Sequence, residues 1–185
     1  MDFPFEICSE SVEYTEELGR MLAGFICEDE SLPRFVAMYG DLGVGKTAFV
    51  RGFCSKLCPA STVKSPTFAL VNEYKASAND IKKVCHFDMY RVTDEDDLYS
   101  IGYDDYLRDD NICIAEWCEL IPYALPDERI EVRIEKVDLD NKRRITEQED
   151  WENPPLFFGY LRIQQRNNQP QRCRIPCGFL PFQPR

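Results

Sequence analysis

Apolar positions in this chain recur with two different periods. Between residues 9 and 30, Leu18, Leu22, Phe25 and Ile26 fall on one stripe at helical spacing, and Ser9 or Ser11 stands where a cap belongs. The spacing predicts a helix over 9–30, closed by Pro33. RFVAMYG then brings Phe35, Val36 and Met38 together in a short apolar run that reads as a buried strand. TAFVRGFCSKLC returns to helical spacing, with Phe49, Val50, Phe53 and Leu57 facing inward and Pro59 as the stop. FALVNEYK (68–75) and KVCHFDMYR (83–91) are strand candidates that flank a polar link, ASAND, and predict a hairpin with a loose loop. TDEDDLYSIGYDDYLRDD reads as an acidic helix capped by Thr93 or Asp94, and NICIAEW as another buried strand. RIEVRIEKVD alternates Ile130, Val132 and Ile134 with charges, the mark of a half-buried strand, and NKRRIT can return from it. Strands interleaved with helices predict an α/β fold: a P-loop NTPase-like three-layer sandwich around a central mixed β-sheet.

The segment between the first buried strand and the second helix is GDLGVGKT. It matches the pattern GxxxxGK[ST] through Gly40, Gly45, Lys46 and Thr47. The physical reason for the spacing is the charge of a triphosphate. Successive backbone N–H groups can cradle it where no Cβ intrudes, and Gly43 adds a third such position. The helix that starts near Lys46 offers its unsatisfied N–H groups and the positive end of its dipole. Lys46 should reach the β- and γ-phosphates, and Thr47 should place its hydroxyl on Mg²⁺. The expected nucleotide-binding residues are therefore Gly40, Asp41, Leu42, Gly43, Val44, Gly45, Lys46, Thr47 and Ala48. Without a guanine-reading NKxD motif, ATP is the default nucleotide.

A phosphate loop alone hydrolyses nothing, because a second acidic group must hold the metal or its waters. Glu116 ends the apolar strand ICIAE, and Asp88 lies late in HFDMYR. Carboxylates at the carboxyl ends of strands project into the crevice that the phosphate loop borders. Both are expected catalytic and metal-holding residues, with Thr47 as the third metal ligand. Ser65-Pro66-Thr67-Phe68 is a candidate switch in which the Thr67 hydroxyl senses the γ-phosphate or the metal, although SPT is also a common turn. His86 is the sole histidine and shares a strand face with Asp88, so it could donate to Asp88 or a phosphate, or be a satisfied structural histidine. Trp117 could pack beside the ribose or base, or fill the core.

Composition changes this picture in three places. The net charge of −11 argues against direct binding of bare nucleic acid, whose affinity rests on phosphate neutralisation. Residues 153–185 hold five arginines, no acidic residue and six of the twelve prolines, which leaves the preceding residues at −16. This divides the chain into a P-loop ATPase domain over 1–145 and a basic Pro/Gln/Arg-rich extension over 146–185, either disordered, docked on the acidic body, or bound to a partner. The nine cysteines form no CxxC pair. Cys54 and Cys58 read as helical core thiols, with Cys173 and Cys177 spaced likewise. No run of about 18 apolar residues and no signal core is present, so a soluble protein of the reducing cytoplasm is expected, with no membrane contact.

GDLGVGKTAFVRGF, VKSPTFALVNEY, HFDMYR, the acidic segment ending in IGYDDYL, and ICIAEW follow one another in an order and at spacings that resemble the TsaE family (older name YjeE). The resemblance covers about residues 8–145. It implies a small bacterial P-loop ATPase of tRNA threonylcarbamoyladenosine (t6A) biosynthesis, weakly active alone. It also implies action on a complex of TsaB and TsaD, in which TsaD transfers the threonylcarbamoyl group, with tRNA reached only through that complex. By position, Lys46 and Thr47 match the family's phosphate and magnesium residues and Thr67 its switch threonine. Asp88 matches an aspartate needed for activity, Glu116 the acidic residue near the metal, and Trp117 the adjoining tryptophan. Ala48 departs from the second threonine that family members usually carry, and the extension has no counterpart in the family pattern. Two further readings stay open on the residues. One is a nucleotide-dependent switch that does not hydrolyse. The other is a small-molecule kinase, which would need lid arginines where only Arg51 and Arg91 lie near the motifs.

Overall fold

The computed structural model describes residues 5–66, 69–77, 80–108, 110–137 and 142–149. Its centre is a seven-stranded sheet whose strands are β1 (Phe5–Ser9), β2 (Phe35–Tyr39), β3 (Val71–Lys75), β4 (Lys83–Asp88), β5 (Asn111–Glu116), β6 (Ile130–Val137) and β7 (Lys142–Glu149). Their spatial order is β1-β7-β6-β2-β5-β4-β3. The four central strands run parallel, and β1, β7 and β3 join antiparallel at the edges. β2 is buried along its whole length and β5 likewise, as expected of parallel strands covered on both faces.

Two long helices, α1 (Val12–Glu28) and α2 (Lys46–Leu57), cross each other so closely that glycine is required at the contact. A Cβ on Gly52 would sit 1.7 Å from the Glu16 carbonyl oxygen, and one on Gly19 would sit 2.1 Å from that of Phe49. The Arg51 guanidinium donates to Glu16 Oε1 beside the crossing, at 2.9 Å. Ser11 caps α1 by accepting from the Tyr14 N–H, which selects Ser11 over Ser9 as the cap.

The opposite face of the sheet is covered by short elements. Phe35, Ala37 and Tyr39 of β2, Cys85 and Phe87 of β4, and Cys113 and Ala115 of β5 pack there. Leu98 and Tyr103 meet them from α3 (Glu95–Ser100) and α4 (Tyr103–Tyr106). The single acidic helix expected after residue 93 is thus two, broken where Gly102 turns left-handed at φ 66°. Asp94 caps the first by accepting from the Asp97 N–H.

The sequence pattern located most elements, and three differences have physical causes. β1 lies in a segment with no turn signal and no strand partner nearby in sequence, and only its pairing with β7 makes it a strand. β3 begins at Val71 rather than Phe68, since Leu70 adopts φ 59° just before it. β4 stops at Asp88, whose side chain accepts from the Tyr90 N–H and caps a 3-10 turn over Met89–Arg91. The predicted return strand is present as β7 and continues to Glu149. The rest of the extension, with Cys173 and Cys177, lies outside the described residues. Cys54 and Cys58 are buried thiols of α2 and its end. No helix among the described residues is long and apolar enough to cross a membrane, and no three of their His, Cys, Asp and Glu side chains form a metal-binding group.

Candidate active site

The site forms where β2, β5 and β4 end side by side and α2 begins. The chain leaves β2 at Tyr39 and must reach the start of α2 at Lys46 within six residues. Gly40, Gly43 and Gly45 make the turn with φ of 131°, 74° and 114°. These are values that a residue with a Cβ avoids. At Gly40 there is a second reason, because a Cβ would sit 2.1 Å from the Ile134 carbonyl oxygen of β6. Around Gly43 there is open space instead. Val44 is buried and pins the loop, whereas Leu42 is 76% exposed. The loop therefore turns its backbone, not its side chains, to whatever enters above α2.

Lys46 is buried at the first position of α2. Its ammonium donates to the carbonyl oxygens of Gly40 and Asp41, the latter at 3.0 Å, and lies 3.5 Å from the centre of the Trp117 ring. Burial lowers its pKa below the ordinary lysine value, outweighing the carboxylates of Glu116, Glu119, Asp88 and Asp41 that favour the charge. Trp117 itself has φ 67°, strained for a bulky residue. Its side chain packs against the core cluster, Lys46 lies over its ring, and the Tyr90 ring centre stands 4.9 Å from its own. Trp117 thus serves the lysine and the core together.

Thr47 and Glu116 meet here across 69 residues of sequence. The Thr47 hydroxyl donates to Glu116 Oε1 at 2.9 Å and lies 3.2 Å from Oε2. The same Oε1 lies 2.9 Å from His86 Nε2. Glu116 is 3% exposed and His86 fully buried. His86 therefore addresses Glu116, not Asp88 as its position on the strand face suggested. The in-register pairing of β4 with β5 sets His86 opposite Ile114 and Asp88 opposite Glu116, so the two carboxylates share the mouth of the site. Asp88 is only half-buried, and its Oδ2 accepts from the Ser65 hydroxyl at 2.6 Å. Ser65 thus links Asp88 to the segment containing Thr67, while Thr67 and Phe68 lie outside the described residues. Ala48 is buried in the first turn of α2.

Three contributors escaped the sequence pattern. Ser65 was overshadowed by Thr67, although its adjacency to a proline was visible. Tyr90 sits two residues past Asp88 and is 58% exposed. Arg143, on β7, brings its side chain within 3.1 Å of where a Cβ on Gly45 would stand, backing the loop from behind. No local signal marks it, because only the pairing of β7 with β6 and β1 carries it there.

The residues fit a nucleotide and a divalent cation. Glycines with left-handed backbone form an N–H concavity suited to phosphate. The threonine hydroxyl and two carboxylates are hard oxygen donors, too few to hold Mg²⁺ alone but enough when phosphate oxygens complete the shell.

Comparison with known proteins identifies the family. The profile of the family described as "Threonylcarbamoyl adenosine biosynthesis protein TsaE" matches residues 9–145. A Bacillus subtilis protein named tRNA threonylcarbamoyladenosine biosynthesis protein TsaE is 34% identical over 134 residues, 72% of this chain and 78% of its own. The protein of that name from Rickettsia conorii is 34% identical over 176 residues, 88% of this chain and 95% of its own. The fold is similar to the crystal structure of Bacillus subtilis YdiB, with a TM-score of 0.66 and 25% identity over 89% of this chain and 97% of that one. A phosphate-type loop ahead of α2, the strand order around it and these relatives lead to one conclusion: the chain belongs to the TsaE family of threonylcarbamoyl adenosine biosynthesis proteins.

Proposed function

We propose that this protein binds ATP with Mg²⁺ at Gly40–Thr47 and hydrolyses it within the machinery that makes t6A in tRNA, sustaining turnover of a TsaB–TsaD complex. The observation that carries the proposal is the half-buried Thr47 tied to the buried Glu116 and His86 beneath a loop of left-handed glycines. A glycine turn that merely capped a helix would have no use for a buried carboxylate tied to its first-turn threonine. Family membership supports the t6A assignment.

The residues divide the work. The loop N–H groups and the start of α2 bind phosphate oxygens. Lys46 exchanges the Gly40 and Asp41 carbonyls for phosphate oxygens, which relieves the burial of its charge. The Thr47 oxygen can offer a lone pair to the cation while its O–H keeps donating to Glu116. Asp88 and Glu116 would hold the waters of the cation, and Thr67 would serve as the phosphate sensor. When bound, Mg²⁺ and ATP supply the scissile phosphoanhydride and a divalent charge that offsets the carboxylates crowding the mouth. That negative mouth disfavours a triphosphate without its cation, which supports magnesium as an obligatory companion.

Phosphate release is measured from purified protein alone and with TsaB, TsaD and tRNA, beside the Lys46→Ala variant. The proposal expects slow release alone, faster release with partners, and none from the variant. ATP that stays intact while t6A forms through many rounds would reduce the protein to a non-hydrolysing switch.

A further inference from the structure

We propose that His86 is a positioning residue for the divalent cation, acting only through Glu116. The inference rests on the nucleotide reading above and adds a residue to it. His86 lies at the centre of β4, fully buried, with Nε2 2.9 Å from Glu116 Oε1. An ionised carboxylate only accepts, so the ring bears its hydrogen on Nε2. Nδ1 is buried with no partner among the described residues.

That pattern is informative because it is unfavourable taken alone. Filling the interior of β4 needs only an apolar side chain, and Val84, on the same face of the strand, is one. A histidine there leaves a polar atom without a partner, which buried groups avoid. What the histidine contributes in return is one N–H aimed at a buried carboxylate. Among the described residues, Glu116 would otherwise have the Thr47 hydroxyl as its only side-chain donor. With one donor, the carboxylate could rotate about its last torsion, which is broad and weakly restrained. With two donors from different elements, α2 and β4, converging on Oε1, the carboxylate is fixed relative to the loop. The edge of the carboxylate toward Thr47 is then held ready for a hard cation. Metal sites draw much of their affinity from such outer partners.

The test compares His86→Leu, which keeps bulk but removes the N–H, with His86→Gln, whose amide N–H can stand near the place of Nε2–H. Fluorescent-ATP titrations are run with Mg²⁺ and with EDTA, and thermal melts are run on each protein. Wild type should bind more tightly with Mg²⁺. His86→Leu should keep its Mg²⁺-free affinity within about twofold and lose about tenfold in the magnesium-dependent gain, the usual size of an outer-partner effect. His86→Gln should recover most of that gain. A folded His86→Leu with the full gain overturns the proposal, and so does a folded His86→Gln that recovers none of it. If His86→Leu does not fold, His86→Gln decides alone by the same criterion. Wild-type protein that ignores Mg²⁺ and ATP altogether would sink the nucleotide reading itself, a result distinct from either of these.

Discussion

Glu116 and Asp88 end neighbouring parallel strands, in register with each other, yet they sit in opposite surroundings. Glu116 is buried and held by groups that belong to secondary structure, His86 on β4 and Thr47 on α2. Asp88 is half-buried and held by Ser65 of a loop and by the Tyr90 N–H of a 3-10 turn. The difference teaches how one site can be both fixed and responsive. A carboxylate bonded within the sheet–helix layer cannot shift without breaking the core. One bonded to a loop hydroxyl can follow that loop at the cost of a single hydrogen bond. The first suits holding a cation, and the second suits reporting which phosphate is present to the segment that carries Thr67.

The sharpest way to probe the contrast is to remove the ammonium whose charge both carboxylates favour. Lys46→Met should lower ATP affinity by about 100-fold or more, since charge-assisted bonds contribute about 1.5–3 kcal/mol each. It should not lower the melting temperature. Burial holds the folded Lys46 pKa below the unfolded reference of 10.5, so the charged form costs stability at neutral pH. That stability returns as pH rises from the lowered value through 10.5, a rise that Lys46→Met should lack. Denaturant titrations at pH 7 and pH 10.5 check the sign.

Replacing each carboxylate in turn tests the comparison directly. Both Glu116→Ala and Asp88→Ala should retain some nucleotide binding and lose hydrolysis on the proposed reading. Their stabilities should differ. Glu116→Ala strands the buried His86 N–H and Thr47 hydroxyl and should cost about 2 kcal/mol. Asp88→Ala loses a cap and one loop bond near solvent and should cost about 1 kcal/mol. Equal losses in urea melts would mean that the two environments are not energetically distinct. Ser65→Ala should have the smallest effect, about 0.5–1 kcal/mol, with the fold intact. Its signature should be kinetic: slower phosphate release with affinity for ATP nearly unchanged. Affinity loss as large as that of Lys46→Met would instead place Ser65 on the nucleotide.

How much of this was legible beforehand depends on the range of each contact. The phosphate loop is local in both senses, because its three glycines and its lysine act through the backbone of the same eight residues. The caps Ser11 and Asp94 and the alternation of Ile130, Val132 and Ile134 were legible for the same reason. His86 was visible as the only histidine, and period 2 placed it on the face of Asp88. Its partner was not visible, because a side chain reaches across a sheet as readily as along a strand. The close crossing at Gly19 and Gly52 was hidden as well, since both lie inside ordinary helical patterns and only the approach of the other backbone gives them a purpose.

The sequence by itself determined that a phosphate loop stands between a buried strand and a helix, that carboxylates close two later strands, and that these motifs follow the TsaE order. Tertiary structure alone decided that β1 seals the sheet beside β7, that Arg143 backs the loop, that Trp117 turns left-handed to meet Lys46, and that His86 serves Glu116. Local periodicity encodes which face of an element is apolar. It does not encode which elements become neighbours, and every one of those four outcomes is a property of neighbours.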